Sequence, residues 1–341
     1  MKRLLPILTL LMLATLWLGC SKELSTETGA KPPGNNAEGI LDGAPGACAN
    51  IELHGVYGQR IDSDTSHYIL VDVNFSKAGD YIIQTDTVNG LFFADTGSVS
   101  STGVAQLKLQ AFGAPLNPGT FNYNVRFKNS MCSFTLDVYQ VVTATGTDYF
   151  PTTANSWWNY ISNDPAAGPA DTVRSIATGT TLTQALTGKA YDVFRDVYLT
   201  GSVVDSSYYR KTPGDYFSFG DLDVFGGTDL PVEGEWVFLK ETVNVGASWN
   251  SAEYVAVLAG QPVKMRLKME LIGKNVDVNV GNKIFRNVMQ VRTTVQFQLT
   301  AAAPFTDSLS LESWYAKGIG LINVMAPSPY YGYRLQQFMV N

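Results

Sequence analysis

The sequence predicts an all-β protein built from two antiparallel β domains. Gly, Thr, Tyr, Phe and Val are plentiful, and only 16% of the residues are charged, a composition typical of strands. Short segments alternate apolar and polar residues, and no long stretch shows the 3.6-residue period of an amphipathic helix. Turn signals such as Asn89-Gly90 and Asn117-Pro118-Gly119 separate these segments, which favours antiparallel strands with one buried face.

Residues 1–19 are expected to be a cleaved signal peptide. Lys2 and Arg3 form a basic start, and the apolar run from Leu4 to Leu18 follows. As a helix this run would span roughly 22 Å, short of the roughly 30 Å hydrocarbon core of a bilayer. Pro6 also weakens a continuous spanning helix, so a secretory signal is favoured over a transmembrane anchor.

The run Leu16-Trp17-Leu18-Gly19-Cys20 resembles the lipobox of bacterial lipoproteins. That resemblance implies cleavage before Cys20 and attachment of lipid to its sulfur and its new amino group. Ser21 follows, as in the outer-membrane sorting pattern of Gram-negative lipoproteins. Ser21-Lys22-Glu23 also resembles the export signals of Bacteroidota-type surface lipoproteins. The expectation is a protein lipid-anchored at the outer membrane and exposed at the cell surface.

Residues 20–46 are predicted to be the lipidated cysteine and a flexible linker. Gly, Pro, Asn, Ala and Ser dominate this stretch, a composition that cannot bury a core. A flexible tether of this length has a root-mean-square end-to-end distance of roughly 25–30 Å.

Residues 47–142 are predicted to form an immunoglobulin-like β-sandwich, because about seven short alternating strands fit that fold. Their apolar positions are Ile69, Val71, Val73, Phe75, Phe121, Tyr123, Val125, Phe127, Cys132, Phe134, Leu136 and Val138. Segments 78–90, 113–121 and 132–135 resemble a repeating module of bacterial surface lipoproteins, which implies an Ig-like fold and no defined activity.

The cysteine count leaves one candidate disulfide. If Cys20 carries the lipid, Cys48 and Cys132 remain, and an oxidising envelope compartment permits them to pair. The alternative is two reduced, buried thiols.

Residues 148–341 are predicted to form a larger antiparallel β domain, a curved sheet or open half-barrel. Long strands that alternate apolar and polar residues, and so have one solvent-exposed face, support this prediction. Their apolar positions are Met265, Leu267, Met269, Leu271, Val276, Val278, Val280, Met289, Val291, Val295, Phe297 and Leu299. Segments 148–160 and 314–321 resemble domains of uncharacterised bacterial lipoproteins, and the implied shape is similar to lipoprotein carriers and lipocalins.

The sequence argues against an enzyme and predicts no metal site and no cofactor. Nucleophile-elbow, zinc-protease and phosphate-loop motifs are missing, and His54 and His67 are predicted to be scattered surface residues. The carboxylates of Asp221, Asp223, Asp229, Glu233 and Glu235 crowd into one Gly-rich segment. A pair of them could cleave a glycoside or bind Ca²⁺, but solvated turns are the simpler interpretation.

Binding is the favoured function, at an aromatic and acidic rim of the larger domain. Planar rings stack on the apolar faces of sugars, and carboxylates accept hydrogen bonds from sugar hydroxyl groups. The expected ligand is therefore a glycan, or else a partner protein at the cell surface. The alternative is a carrier whose curved sheet holds an apolar ligand. A net charge of −6 without a basic cluster argues against nucleic acid. The candidate residues are Tyr208, Tyr209, Tyr216, Phe219, Asp221, Asp223, Trp236, Tyr330, Tyr331 and Tyr333.

Overall fold

A computed structural model describes residues 36–223 and 225–341. This part of the chain is all-β, as predicted, and its one helical element is a 3₁₀ turn at Pro169–Asp171. Within those two ranges no helix is long and apolar enough to cross a membrane. The predicted signal peptide, Cys20 and the first part of the predicted linker lie outside the described residues.

The first sheet contains eight strands in the order β1-β3-β6-β5-β4-β7-β8, with β2 paired to β3. Strand β5 pairs with β6 through its first residues and with β4 through the rest, which links all the strands in one path. The strands are β1 (Glu38–Leu41), β2 (Glu52–His54), β3 (Tyr68–Lys77), β4 (Gly79–Thr85), β5 (Leu91–Val99), β6 (Gly103–Gly113), β7 (Gly119–Phe127) and β8 (Ser130–Val138).

The predicted alternation is present in the first sheet. Ile69, Val71, Val73 and Phe75 are buried, while polar residues between them are at least partly exposed. Cys48 and Cys132 form a disulfide. An immunoglobulin-like relationship stays a prediction for this unit.

The end of the predicted linker forms a strand. Strand β1 pairs antiparallel with β3, and Ala37 and Leu41 are buried. The backbone amide of Leu41 also donates to Ser130 Oγ at 2.9 Å. The linker prediction is therefore wrong for residues 38–41, where pairing with β3 and burial of Leu41 outweigh the loop-like composition.

The second sheet contains fourteen strands, ordered β15-β14-β13-β12-β11-β10-β22-β21-β20-β19-β18-β16, with β17 paired to β18 and β9 paired parallel to β19. The strands are β9 (Gln140–Val142), β10 (Trp157–Ser162), β11 (Val173–Gln184), β12 (Lys189–Tyr198), β13 (Val203–Thr212), β14 (Asp215–Asp221), β15 (Glu233–Lys240), β16 (Ser248–Asn250), β17 (Tyr254–Leu258), β18 (Gln261–Val280), β19 (Lys283–Gln298), β20 (Thr306–Ala316), β21 (Gly320–Met325) and β22 (Gly332–Met339).

The compact unit around this sheet comprises residues 137–341 together with segments 56–62 and 114–121. Residues 36–55, 63–113 and 122–136 belong to the first unit. The division thus interrupts the predicted 47–142 domain at two internal segments.

The long hairpin of β18 and β19 supplies one wall of the second unit's core. Met265, Leu267, Met269 and Leu271 are all fully buried, while Arg266, Lys268 and Glu270 between them are partly exposed on the opposite face. Their partners on β19 include Phe297, Val295 and Val291. Leu299, predicted to continue this row, lies beyond β19 and is 58% exposed.

The two ends of the second sheet are joined by side chains. Tyr254 on β17 accepts a hydrogen bond from Glu235 N at 3.1 Å and donates to Glu235 O at 3.0 Å. Trp249 Nε1 on β16 donates to Val237 O at 2.7 Å. Backbone groups of edge strand β15 are therefore satisfied by residues from the opposite end of the strand order, and the sheet is nearly closed.

Candidate functional site

Two adjoining, partly open cavities lie in the second unit. One, called here the Trp158 cavity, has a volume of about 400 Å³, and the other, the Trp236 cavity, about 470 Å³. Such volumes fall within the range of small-molecule sites. The walls they share are Phe150, Tyr209, Leu321, Gly332 and Tyr333.

The lining side chains come from strands whose alternate residues point inward. Trp158, Tyr160 and Ser162 follow at period two on β10, as do Phe194 and Asp196 on β12. Strand pairing sets Ser175 of β11 opposite both Trp158 and Asp196. A row of inward residues thus crosses three neighbouring strands.

Phe150 is the centre of the aromatic wall. Its ring centroid lies 4.5 Å from that of Tyr209, 5.1 Å from Phe238 and 5.7 Å from Phe194. These spacings are those of tilted and edge-to-face aromatic pairs, which add to the hydrophobic energy of burial. The wall is therefore tightly packed behind the cavities.

Hydrogen bonds fix two further rings. Trp158 Nε1 donates to Ile319 O at 2.6 Å, and the Tyr160 hydroxyl donates to Leu321 O at 2.9 Å. Desolvation raises the pKa of Tyr160 well above its usual value, and it also raises the pKa values of Tyr209 and Tyr315. These phenols stay neutral at physiological pH.

Two carboxylates stand on the wall of the Trp158 cavity, at Asp171 and Asp196. Asp196 accepts a hydrogen bond from Ser207 Oγ at 2.5 Å, and Asp171 accepts one from Gly168 N at 2.8 Å. Among the described residues that line this cavity, none is a lysine or an arginine. The Trp158 cavity therefore combines aromatic walls with negative charge.

The structure brings together four of the ten predicted ligand-binding residues. Tyr209 and Tyr333 line both cavities, and Trp236 and Tyr330 line the Trp236 cavity. The remaining residues do not contribute to either wall, namely Tyr208, Tyr216, Phe219, Tyr331, Asp221 and Asp223. Tyr216 and Phe219 are buried instead, and Tyr331 is 36% exposed.

The clustered acids stabilise turns and strand contacts. Asp221 accepts hydrogen bonds from the amides of Asp223 and Val232. Asp223 accepts two from Thr228, through its amide at 2.5 Å and its hydroxyl at 2.6 Å. Asp229 accepts two from the amides of the β17–β18 turn. These carboxylates therefore accept hydrogen bonds from backbone amides of nearby turns, and Asp223 is buried rather than solvated.

Among the described residues, neither the clustered acids nor the histidines form a metal-binding cluster. Within the described ranges, no three His, Cys, Asp or Glu side chains converge in a way that could hold a metal ion. His67 Nδ1 lies 2.8 Å from Asp64 Oδ1, and the His54 ring stacks on Tyr68 at 4.3 Å between centroids.

Several wall residues were not among the predicted site residues, most importantly Phe150, Trp158, Tyr160, Phe194 and Asp196. Their inward direction can be read from period-two alternation, since Trp158 and Tyr160 share one face of a strand. What alternation does not give is the partner strand. Tyr160 meets Tyr333 at 5.3 Å between ring centroids only because β10 pairs with β22.

No family model matches the chain, and no curated protein matches it. One similar solved structure is a "putative lipoprotein" from Parabacteroides distasonis ATCC 8503, at 13% sequence identity and a TM-score of 0.36. The match covers 57% of this chain and 99% of that one.

Proposed function

We propose that the second unit is a carrier that holds a small, largely apolar ligand in the two adjoining cavities. The observation that supports this function is the space itself, about 400 Å³ and about 470 Å³ behind aromatic walls. Protein interiors are normally filled to crystal-like density. Space of this size inside a nearly closed sheet is a feature that ligand-binding proteins share.

The test uses N-phenyl-1-naphthylamine, a neutral probe whose fluorescence rises in apolar surroundings. The mature chain carrying Cys20→Ala is expected to bind it with saturation. Ser218→Phe, which places a ring into the Trp236 cavity, should weaken binding about tenfold, because the ring takes space that the bound probe would occupy and overpacking the complex costs more than 1 kcal/mol. Ser248→Phe is the control, since Ser248 is exposed and lines neither cavity. Unsaturable binding, or equal binding by both variants, would rule out the carrier.

A second candidate is glycan binding by exposed rings. Tyr330, Tyr331 and Tyr333 are 45%, 36% and 38% exposed and lie within four consecutive residues. Planar rings in such a group can stack on sugars. A glycan array should then show a hit that Tyr331→Ala abolishes, whereas no hit on the array would leave the carrier as the better proposal.

For location, we propose a lipid anchor at Cys20 and residence at the outer membrane, exposed at the surface, without catalytic activity. The lipobox-like run supports the anchor, and the turn-stabilising contacts of Asp221, Asp223 and Asp229 support a non-enzymatic role. Cys20→Ala should move the protein from the membrane fraction to the soluble envelope fraction. Retention of the variant in membranes would disprove the anchor.

A further inference from the structure

The two cavities differ in charge. The described lining of the Trp236 cavity contains only uncharged residues, among them Phe225, Leu267, Leu311 and Val324. The lining of the Trp158 cavity includes two acidic residues, the exposed Asp171 and the half-buried Asp196. Because the cavities share five wall residues, a single elongated ligand could extend from an uncharged end to an acidic end.

The surroundings of Asp196 add further negative charge. Asp205 of β13 lies directly opposite Asp196 in the antiparallel pair, so the two side chains share a face of the sheet. Like charges in such a position destabilise a sheet. Arg195 follows the opposite alternation and is exposed, and Asp196 accepts a hydrogen bond from the neutral hydroxyl of Ser207.

Aromatic rings beside these carboxylates complete a site suited to a cation. Trp158, Tyr160 and Phe194 line the same cavity as Asp196. A cation near the face of an aromatic ring is attracted by the electrons of the ring, and the attraction increases as water is excluded. Carboxylates and rings together therefore favour a positively charged group and disfavour an anionic one.

Building on the proposed carrier function, we infer that the ligand is an amphiphile with a cationic amine head and an apolar tail. The head would lie in the Trp158 cavity near Asp196, and the tail would lie in the Trp236 cavity. Fatty acids and other anionic amphiphiles would be rejected, since their head group would meet Asp171 and Asp196 without a basic residue in the described lining.

The experiment compares three ligands that share a ten-carbon chain: decylamine, decanol and decanoate. Each displaces N-phenyl-1-naphthylamine from the mature Cys20→Ala chain at pH 7. Decylamine should compete about tenfold better than decanol, the factor that one charge-assisted hydrogen bond supplies. Decanoate should compete more weakly than decanol.

Two variants that each remove one negative charge test whether Asp196 causes the preference for decylamine. Asp196→Asn should weaken decylamine about tenfold and leave decanol unchanged. Asp277→Asn removes the same charge from an exposed residue paired with Arg286 and should leave all three ligands unchanged. Decanol binding reports that each variant is folded, and Asp171→Asn replaces Asp196→Asn if the latter does not fold.

The outcomes separate the two proposals. If the probe binds but decanoate equals or exceeds decylamine, the cationic preference is wrong and the carrier function stands. The preference is also wrong if Asp196→Asn, or Asp171→Asn in its place, leaves decylamine binding unchanged. If neither the probe nor any ten-carbon ligand binds, the carrier function itself fails.

Discussion

We predict that the carboxylate of Glu235 contributes more electrostatic stabilisation than any other single side chain of the second unit. Its carboxylate, 14% exposed, receives hydrogen bonds from Arg210 Nε at 2.5 Å, Lys189 Nζ at 2.6 Å and the Tyr191 hydroxyl at 2.6 Å. Those partners belong to β12 and β13, whereas Glu235 belongs to β15. The carboxylate therefore ties three strands together across β14, which lies between β13 and β15.

The magnitude follows from the pKa of Glu235. Desolvation alone would raise this pKa, but the hydrogen bonds from Arg210, Lys189 and Tyr191 outweigh it and lower the pKa from 4.5 to about 2. At 1.36 kcal/mol per pKa unit, a shift of this size corresponds to about 3 kcal/mol. Lys189 is 47% exposed and its share is screened by water, so Glu235→Gln should cost about 2 kcal/mol.

Urea unfolding between pH 7 and pH 3 measures this loss. Because the folded pKa lies below the unfolded one, the stabilisation is complete above about pH 5 and declines as the pH falls towards 2. The wild type and Glu235→Gln should therefore differ most at pH 7 and converge in acid. Glu253→Gln is the control, because its partner Lys264 is 54% exposed and the pair is solvated. Equal effects of both variants, or a difference independent of pH, would refute the reasoning.

Two further predictions concern contacts that stabilise the two units, namely the hydrogen bonds of Tyr254 and the Cys48–Cys132 disulfide. Tyr254→Phe should cost about 2 kcal/mol, because Glu235 N and Glu235 O both lose their partner at the junction of the sheet ends; an unchanged midpoint in urea would show that water replaces the hydroxyl. Replacing Cys48 and Cys132 together by Ser should cost up to about 4 kcal/mol, since the disulfide closes a loop with a sequence separation of 84. Guanidinium unfolding of the double variant measures that effect, and equal stability of the oxidised wild type and the variant would contradict it.

Local pattern was sufficient to predict the faces of the strands. Met265, Leu267 and Met269 are buried as their alternation indicates, because a period of two fixes the side of the sheet whatever the partner strand is. Composition, in contrast, failed for residues 38–41, where pairing with β3 outweighs a loop-like composition.

Long-range pairing explains what the sequence could not predict about the site. Tyr160 and Tyr333 are brought together by the pairing of β10 with β22, and no local signal specifies that partner. Asp221 and Asp223 illustrate the opposite case, in which density in the sequence is not matched by a place on a cavity wall. Their density in the sequence suggested a site, whereas each carboxylate accepts hydrogen bonds from nearby backbone amides. Acidic residues in Gly-rich turns commonly serve the backbone in this way.

The cavities exist because small residues stand between the large rings. Ser162, Ser175 and Ser207 line the Trp158 cavity, Ser218 lines the Trp236 cavity, and Gly332 lines both. Larger apolar side chains at these positions would fill the space and bury more surface, which normally stabilises a fold. If the space serves a ligand, variants such as Ser218→Phe should keep or gain stability while they lose binding. If it is only imperfect packing, the same variants should gain stability at no functional cost.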